Sequence, residues 1–473
     1  MNIIKSPVKL LASSKAVIVQ FLKLPGENRV TNILERVKIL GEDEVASLVE
    51  SMRIEFSERH HNIEDIWSSH FDMISATHPG LKQFSRNRKW LIGGLFTKEY
   101  SIQAAALFNP SIVIHPDQSG LSNGQMRFLL SLRATGEGHI SSIVFQSGIL
   151  DEKGNILLGK ASGYFTCLSK DEKKLWQKHE VKKWVTRSSG FDARLLDLLP
   201  DQFTAREAMD ICRSSSSGNL LMYDSEIILT DFLDANYDLL ESGDIPISEK
   251  VIFPLARAES MGMEDLRLVR FEENSKICYY GTYTAYNGHE IRTQLLKTTD
   301  FNHFAIRTLT GPAIKDKGMA LFPVKINGRY VMISRQGGEK INLMYSDDLY
   351  YWNDFQVLLE PEFHWEMVQM GNCGSPIKTA EGWLVLIHGV GMMRTYIISA
   401  MLLDLDDPSK VLRRLKMPLL KADTMEREGY VPNVVYTCGL LEHNGKLLIP
   451  YAMSDAATGF VTVDLMDLLN EMQ

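Results

Sequence analysis

Between about Val30 and Phe71 the apolar residues Val45, Leu48, Val49, Met52 and Phe56 recur three and four positions apart, with charged residues between them. This is the spacing of one face of an α-helix. A lone amphipathic helix has little stability in water, so the face predicts a partner surface, either the β array that follows or another subunit. A second helix-compatible region, polar and rich in lysine, begins at Ser169 (SKDEKKLWQKHEVKKWVTRSSGFDARLLDLL) and closes near Ser217 in the run RSSSSGN, a flexible composition. From about Leu220 the texture changes to short apolar runs separated by Gly, Asn and Asp: KICYYGTYTAY, NGRYVMIS, EGWLVLIHG and NGKLLIPYA. These predict strands, and Asn327-Gly328 and Asn444-Gly445 predict tight hairpins. MRFLLSLRATGEGHISSIVF, Met126 to Phe145, reads as further strand. Two segments echo each other: LLKTTDFNHF from Leu295 and LMYSDDLYYW from Leu343 each follow an apolar run with a hydroxyl residue, an Asp and an aromatic. The offset matches the period of roughly 40–50 residues of a propeller blade. The pattern therefore predicts a mainly β array of radial blades with helical additions.

Composition narrows the function. The 473-residue chain carries a formal net charge of −8 and has a pI near 5.9. That excludes a general nucleic-acid binder, which needs basic excess against phosphate backbones, and leaves room for a small anion held by a few local cations. Cys167, Cys212, Cys278, Cys373 and Cys438 are odd in number and show no C-x-x-C spacing, so neither a disulfide framework nor a metal site is expected, and a reducing compartment is. The early run KLLASSKAVIVQFLKL is interrupted by Lys15, and no stretch approaches the ~20 apolar residues of a membrane span. The expectation is a cytoplasmic protein with no membrane partner.

Candidate chemistry enters at SMGMEDLRLVRF, Ser260 to Phe271, where Glu264 and Asp265 stand together just ahead of Arg267 and an alternating strand-like run. Adjacent like charges cost free energy unless each has a task or a partner. The pair is either a solvated turn neutralised by Arg267 or a catalytic acid at a strand mouth.

EDLR, followed in order by YYGTYTAYNG, KGMALFPVKINGRYVMISRQ, YSDDLYYW, GSPIKTAEGWLVLIHGVG, LLDLDDPSKVL and GYVPNVVYTCG, resembles glycoside hydrolase family 130. That family comprises five-bladed propellers that are β-mannoside phosphorylases and some β-mannosidases. The resemblance runs from about Ser111 to the C-terminus and is densest from Glu264 to Asp455. It implies a five-bladed β-propeller over residues 101–473 with the helical insertion near 169–217, and a largely helical extension over 1–100 outside the shared core.

Carried onto this chain, the resemblance makes Asp265 the general acid, passing its proton to the glycosidic oxygen through a sugar hydroxyl. Glu264 then fixes the surroundings of Asp265 or contacts sugar hydroxyls, and Arg267 orients the pair. Leu266 stands where the family usually has proline. A phosphorylase gathers cations around inorganic phosphate, whereas an ordinary inverting glycosidase needs a second carboxylate to activate water. The family's phosphate-site positions correspond to Lys317, Arg335, Lys378 and the hydroxyl of Tyr396; Arg133, His388 and Asp455 match residues at the sugar. Ser334 replaces a common histidine, and Glu339 nearby keeps a hydrolytic base available. Tyr283, Tyr286, Trp365 and Tyr430 are candidates to stack on sugar faces.

The implied activity is inverting phosphorolysis of β-mannosides, giving α-mannose 1-phosphate and a shortened acceptor, with phosphate as co-substrate and no metal or other cofactor. The alternatives are a β-mannoside hydrolase of the same family and a non-catalytic carbohydrate-binding propeller. A homo-oligomer through the N-terminal helices is a further expectation.

Overall fold

The computed structural model describes residues 1–160, 162–188, 190–215, 220–240 and 245–473. The chain is mainly β, with helices in two regions and a short C-terminal helix, Leu465–Glu471. Five antiparallel meanders follow one another. The first is Ala106–Ile114, Met126–Thr135 and Ser141–Leu150; the second is Gly262–Glu273, Lys276–Tyr286, Ile291–Thr298 and Phe304–Thr308. The third is Ala320–Leu321, Tyr330–Ser334, Ile341–Ser346 and Gln356–Leu359; the fourth is Gln369–Asn372, Trp383–Val390, Tyr396–Leu403 and Val411–Arg414. The fifth joins Val435–Tyr436, Lys446–Met453 and Ala457–Asp464, and the N-terminal strand Ile3–Lys5 completes it by pairing antiparallel with Val461 to Val463.

Each meander touches the next. Ala106–Ile114 lies against Gly262–Glu273, Lys276–Tyr286 against Ala320–Leu321, Tyr330–Ser334 against Gln369–Asn372, and Tyr396–Leu403 against Val435–Tyr436. Lys446–Met453 of the fifth then lies against Ala106–Ile114 of the first.

Local chemistry accounts for the turns. Asn327 and Gly328, and Asn444 and Gly445, all take positive φ, the conformation that a two-residue hairpin matched to strand twist requires. The two echoing segments are equivalent in space as well as in sequence. Thr298 and Ser346 each end a strand, and their hydroxyls accept from the backbone N–H of Asp300 and Asp348, at 3.3 and 3.0 Å. Phe304 and Trp352, at matching positions, are both buried.

The helical regions differ from the expectation in two respects. Glu27–Lys38, Glu42–Phe56, Ile63–Ser75 and Arg86–Leu95 build a core of their own, in which Val45, Val49, Trp67, Phe71 and Trp90 are buried together. The stripe of Glu42–Phe56 is thus covered by its neighbouring helices and not by the sheet; Gly93 lets Arg86–Leu95 cross Ile63–Ser75 closely, since a Cβ there would stand 1.9 Å from the Trp67 carbonyl oxygen. The second helical region does not stop near residue 217. Lys178–Val185, Arg194–Asp197 and Ala205–Ser215 are followed by Leu220–Ala235, where strand was expected. Its apolar residues Ile228, Leu229, Phe232 and Leu233 fall on one helical face, which closes a core with Trp176, Val181 and Leu195. The serine run at 216–219 lies outside the described residues.

Candidate active site

The first strands of successive meanders bring the chemical groups together. Gly262–Glu273 and its partner strand lose register between Glu264 and Arg267, and Ala106–Ile114 does so between Phe108 and Ser111. Each irregularity holds one residue in the left-handed region, Asp265 at φ 57° and Asn109 at φ 47°. An inserted residue bends its strand and re-aims a side chain, and here the two face each other: the Asn109 amide donates to the Asp265 carboxylate at 2.6 Å. Asn109 was not singled out from the sequence. Its signal is Asn-Pro inside an otherwise apolar strand, a residue type that tolerates positive φ beside one that cannot donate to a ladder.

The acidic pair is partnered, not solvated. Arg133 donates to Glu264 at 2.8 Å and approaches Asp265 at 3.4 Å, while its Nε is fixed by the Ser141 hydroxyl at 2.9 Å. Lys317 reaches the other oxygen of Glu264 at 3.4 Å. Arg267 is buried, donating to the Cys373 carbonyl at 2.9 Å, the Asp265 carbonyl at 3.2 Å and the Tyr436 hydroxyl at 2.7 Å. It therefore fixes the backbone of Asp265 and not its carboxylate. Tyr436, from the first strand of the fifth meander, is a second residue the sequence reading passed over.

These contacts separate the protonation states of two carboxyls. Burial alone pushes Asp265 up, but the charges of Arg133, Arg267 and Lys317 and the Asn109 bond overcome it and hold the carboxyl at about 2. Asp455, also at positive φ, moves the other way: burial and the negative charge of Asp265 raise it to about 6 against the pull of Arg133 and Arg394. Burial, reinforced by the charges of Arg335 and Arg267, drives His388 well below its usual value, so its ring is neutral.

Beside this pair lies a basic group. Arg335 Nε donates to the Lys317 carbonyl at 3.3 Å, and its Nη1 stands 3.5 Å from His388 Nε2. The His388 ring stacks on Tyr396 at 5.9 Å and meets Tyr436 edge-on at 5.1 Å, and Gln369 donates to the Tyr396 hydroxyl at 3.1 Å. Gly371 makes room for this packing, since a Cβ there would lie 2.6 Å from His388 and 2.9 Å from Arg335. Asn372 next to it is fully buried with neither side-chain polar atom bonded, and such a group needs a partner.

Of the residues named from sequence, the structure gathers Glu264, Asp265, Arg267, Arg133, Asp455, Lys317, Arg335, His388 and Tyr396. It does not bring Lys378 to them. Lys378 is exposed and pairs with Trp383 at the outer end of Trp383–Val390, whereas His388 sits five residues further along that strand, about 16 Å away at strand rise. Its register in the hairpin sends it to the rim. Glu339 is exposed, and only its backbone carbonyl is engaged, by the Met370 N–H. Tyr283 is a core residue that donates to buried Glu259, and Trp365 is buried with its indole N–H on the Lys416 carbonyl. Neither is free to stack on a sugar.

A buried acid, an adjoining cluster of guanidinium, ammonium and neutral imidazole, and an orphaned amide can bind a neutral polyhydroxyl ring on one side and an oxyanion on the other. Comparison with known proteins follows the same line. Residues 227–473 match the family model described as β-1,4-mannooligosaccharide phosphorylase. The 1,2-β-oligomannan phosphorylase of Thermoanaerobacter sp. (strain X514) is 35% identical over 44% of this chain and 71% of its own length. The β-1,2-mannobiose phosphorylase of the same organism is 34% identical over 44% and 68%. The solved structure of β-1,2-mannobiose phosphorylase from Listeria innocua in complex with β-1,2-mannobiose is 21% identical, covers 78% of this chain and 92% of that chain, and has a TM-score of 0.47. With more than half of its length matched by the family model, and two relatives above 30% identity spanned over more than two thirds of their length, the chain belongs to glycoside hydrolase family 130.

Proposed function

We propose that this protein is an inverting β-mannoside phosphorylase, converting a β-mannoside and inorganic phosphate into α-mannose 1-phosphate and a shortened acceptor. The observation that carries the reading is the set Lys317, Arg335 and neutral His388 standing together beside Asp265, a basic group suited to hold a phosphate nucleophile. A water-using enzyme needs a carboxylate there instead, and Glu339, the sequence candidate for that base, faces solvent. Asn109, Glu264 and Arg133 hold Asp265 at the glycosidic side; Asp455 addresses the sugar hydroxyls. Direct displacement by phosphate inverts the anomeric centre, and Asp265 supplies the leaving oxygen's proton through a sugar hydroxyl.

We infer a five-bladed propeller over residues 101–473, to which Ile3–Lys5 adds a strand; the contacts of each meander with the next, and of the last with the first, support a radial array. The rest of residues 1–100 forms a largely helical extension, the proposed contact with a second subunit, and the enzyme works in the cytoplasm. The test is product analysis: β-mannobiose incubated across a phosphate titration should yield mannose 1-phosphate in proportion to bound phosphate. Release of free mannose at a rate indifferent to phosphate overturns the reading.

A further inference from the structure

A cavity of about 810 Å³ opens beside the candidate active site, walled by Gly391, Met392, Met393 and Thr395 on one side and by the segment from Pro418 to Asn433 on the other. It shares walls with the site. Arg394, within the first wall, lies over the Tyr396 ring at 5.6 Å and bears electrostatically on Asp455. In the second wall, the Asn433 carbonyl accepts from the Tyr396 N–H at 3.0 Å, and the Val431 N–H donates to the Ser454 carbonyl at 3.0 Å. A substrate that fills the site therefore has this cavity as its immediate outward continuation.

Two features of the cavity bear on what it can hold. Its lining carries exposed apolar side chains: Met393 is 90% exposed and Met392 76%. Large apolar side chains left in water at one place mark a binding surface, and methionine is the side chain that adapts to flexible apolar ligands. Its lining is also cationic in a chain of net negative charge. The exposed Lys421 and Arg427 line it, and among the described residues neither side chain has an ion-pair or hydrogen-bond partner. The acidic lining residue Asp423 is already engaged by Lys5 at 2.7 Å. Unpaired cations beside exposed methionines match a ligand with an anionic head and an apolar tail, and do not match a neutral oligosaccharide.

We propose that this cavity receives the leaving-group end of the substrate, and that this end carries a phosphate-type anion joined to an alkyl chain, as in a glycan borne on a lipid phosphate. Only the identification of the occupant as the leaving group rests on the phosphorolysis reading.

The test is direct binding to the full chain, independent of turnover. Calorimetry with n-octyl phosphate, run in saturating inorganic phosphate to fill the catalytic anion site, should show binding that n-octyl β-D-glucoside and inorganic phosphate do not reproduce. The pair Lys421→Ala/Arg427→Ala should weaken it by about tenfold or more, the effect of removing charge-assisted contacts, and Met392→Ser/Met393→Ser should weaken it through the tail. Equal binding of the octyl glucoside, abolition by inorganic phosphate, or indifference to both double variants each overturns the proposal. So does sedimentation showing that the methionine variants split an oligomer, since the rim is then a subunit interface. Failure of the phosphorylase reading appears elsewhere, as phosphate-independent mannose release, and leaves this binding result standing.

Discussion

Replacing Arg335 by alanine removes the guanidinium that links Lys317 to His388, and the expected consequence is a raised Michaelis constant for phosphate with sugar recognition retained. Arg335 reaches the Lys317 carbonyl at 3.3 Å and His388 at 3.5 Å, so its charge lies within contact range of an anion held between Lys317 and His388. A hydrogen bond to a charged group contributes about 1.5–3 kcal/mol, which corresponds to a loss of about 10- to 150-fold in apparent phosphate affinity. Lys378→Ala provides the internal contrast. Lys378 is exposed and about 16 Å along its hairpin from His388, roughly twice the Debye length of about 8 Å in physiological salt, so its field at the anion is largely screened. The assay is the initial rate of mannose 1-phosphate formation from β-mannobiose across a phosphate titration, for wild type and both variants. The reasoning is refuted if Arg335→Ala leaves the phosphate constant unchanged, or if Lys378→Ala raises it as much as Arg335→Ala does.

Asp265→Asn should lower turnover by about 10²–10⁴-fold with sugar binding nearly unchanged, because it keeps shape and removes the proton donor; calorimetric binding of β-mannobiose beside the rate measurement checks this. Gly371→Ala should damage phosphate binding more than it damages the fold, since its Cβ would press on the side chains of His388 and Arg335; the phosphate constant and the melting temperature read the two effects separately. Tyr436→Phe takes a hydrogen bond from the buried Arg267 and should cost about 1–3 kcal/mol, visible in denaturant unfolding. For Asp455 the folded value of about 6 lies above the ordinary 3.8, so its contribution to stability is complete below the unfolded value and is lost as pH rises through about 6. Asp455→Asn should therefore raise the melting temperature at neutral pH and leave it unchanged near pH 4, and equal shifts at both pH values would contradict the assignment.

What could be read from sequence divides along a physical line. Local rules carried far: Asn-Gly pairs produced the hairpins, and the echo between Thr298 and Ser346 marked strand ends with the same hydroxyl-capped turn and the same buried aromatic. Motif order gathered most of the site. What failed was decided by partners distant in the chain. Lys378 looks like the other cations in sequence, but strand register sends it to a rim while His388 of the paired strand points inward. Asn109 lies 156 residues from the Asp265 it holds, and Tyr436 lies 169 from Arg267, so nothing local announces either. The dense apolar segment Leu220–Ala235 fits both the strand and the helix period, and its packing against Trp176 and Val181 decides for helix. The stripe at Val45 to Phe56 announced that a partner exists, though not which one.

The same cations that define the anion site also set the state of the acid, and this ties the proton to the phosphate. At about 2, Asp265 is ionised at neutral pH, and an ionised carboxylate has no proton to give. The proton of the carboxyl group at the site sits more readily on Asp455, at about 6. Asp265 is held down largely by positive charge, from Arg133, Arg267 and Lys317. Of these, Arg133 pairs closely with Glu264 and Arg267 is enclosed by protein, while Lys317, at a longer 3.4 Å from Glu264, is more exposed and stands next to Arg335. A dianion bound there cancels the charge of Lys317 and adds its own negative field, and both changes favour the protonated form of Asp265. Phosphate then acts twice on the phosphorolysis reading, as nucleophile and as the charge that lets the acid hold its proton. A water molecule in the same place supplies neither effect, so on this reading the electrostatics of the site favour phosphate over water as the nucleophile.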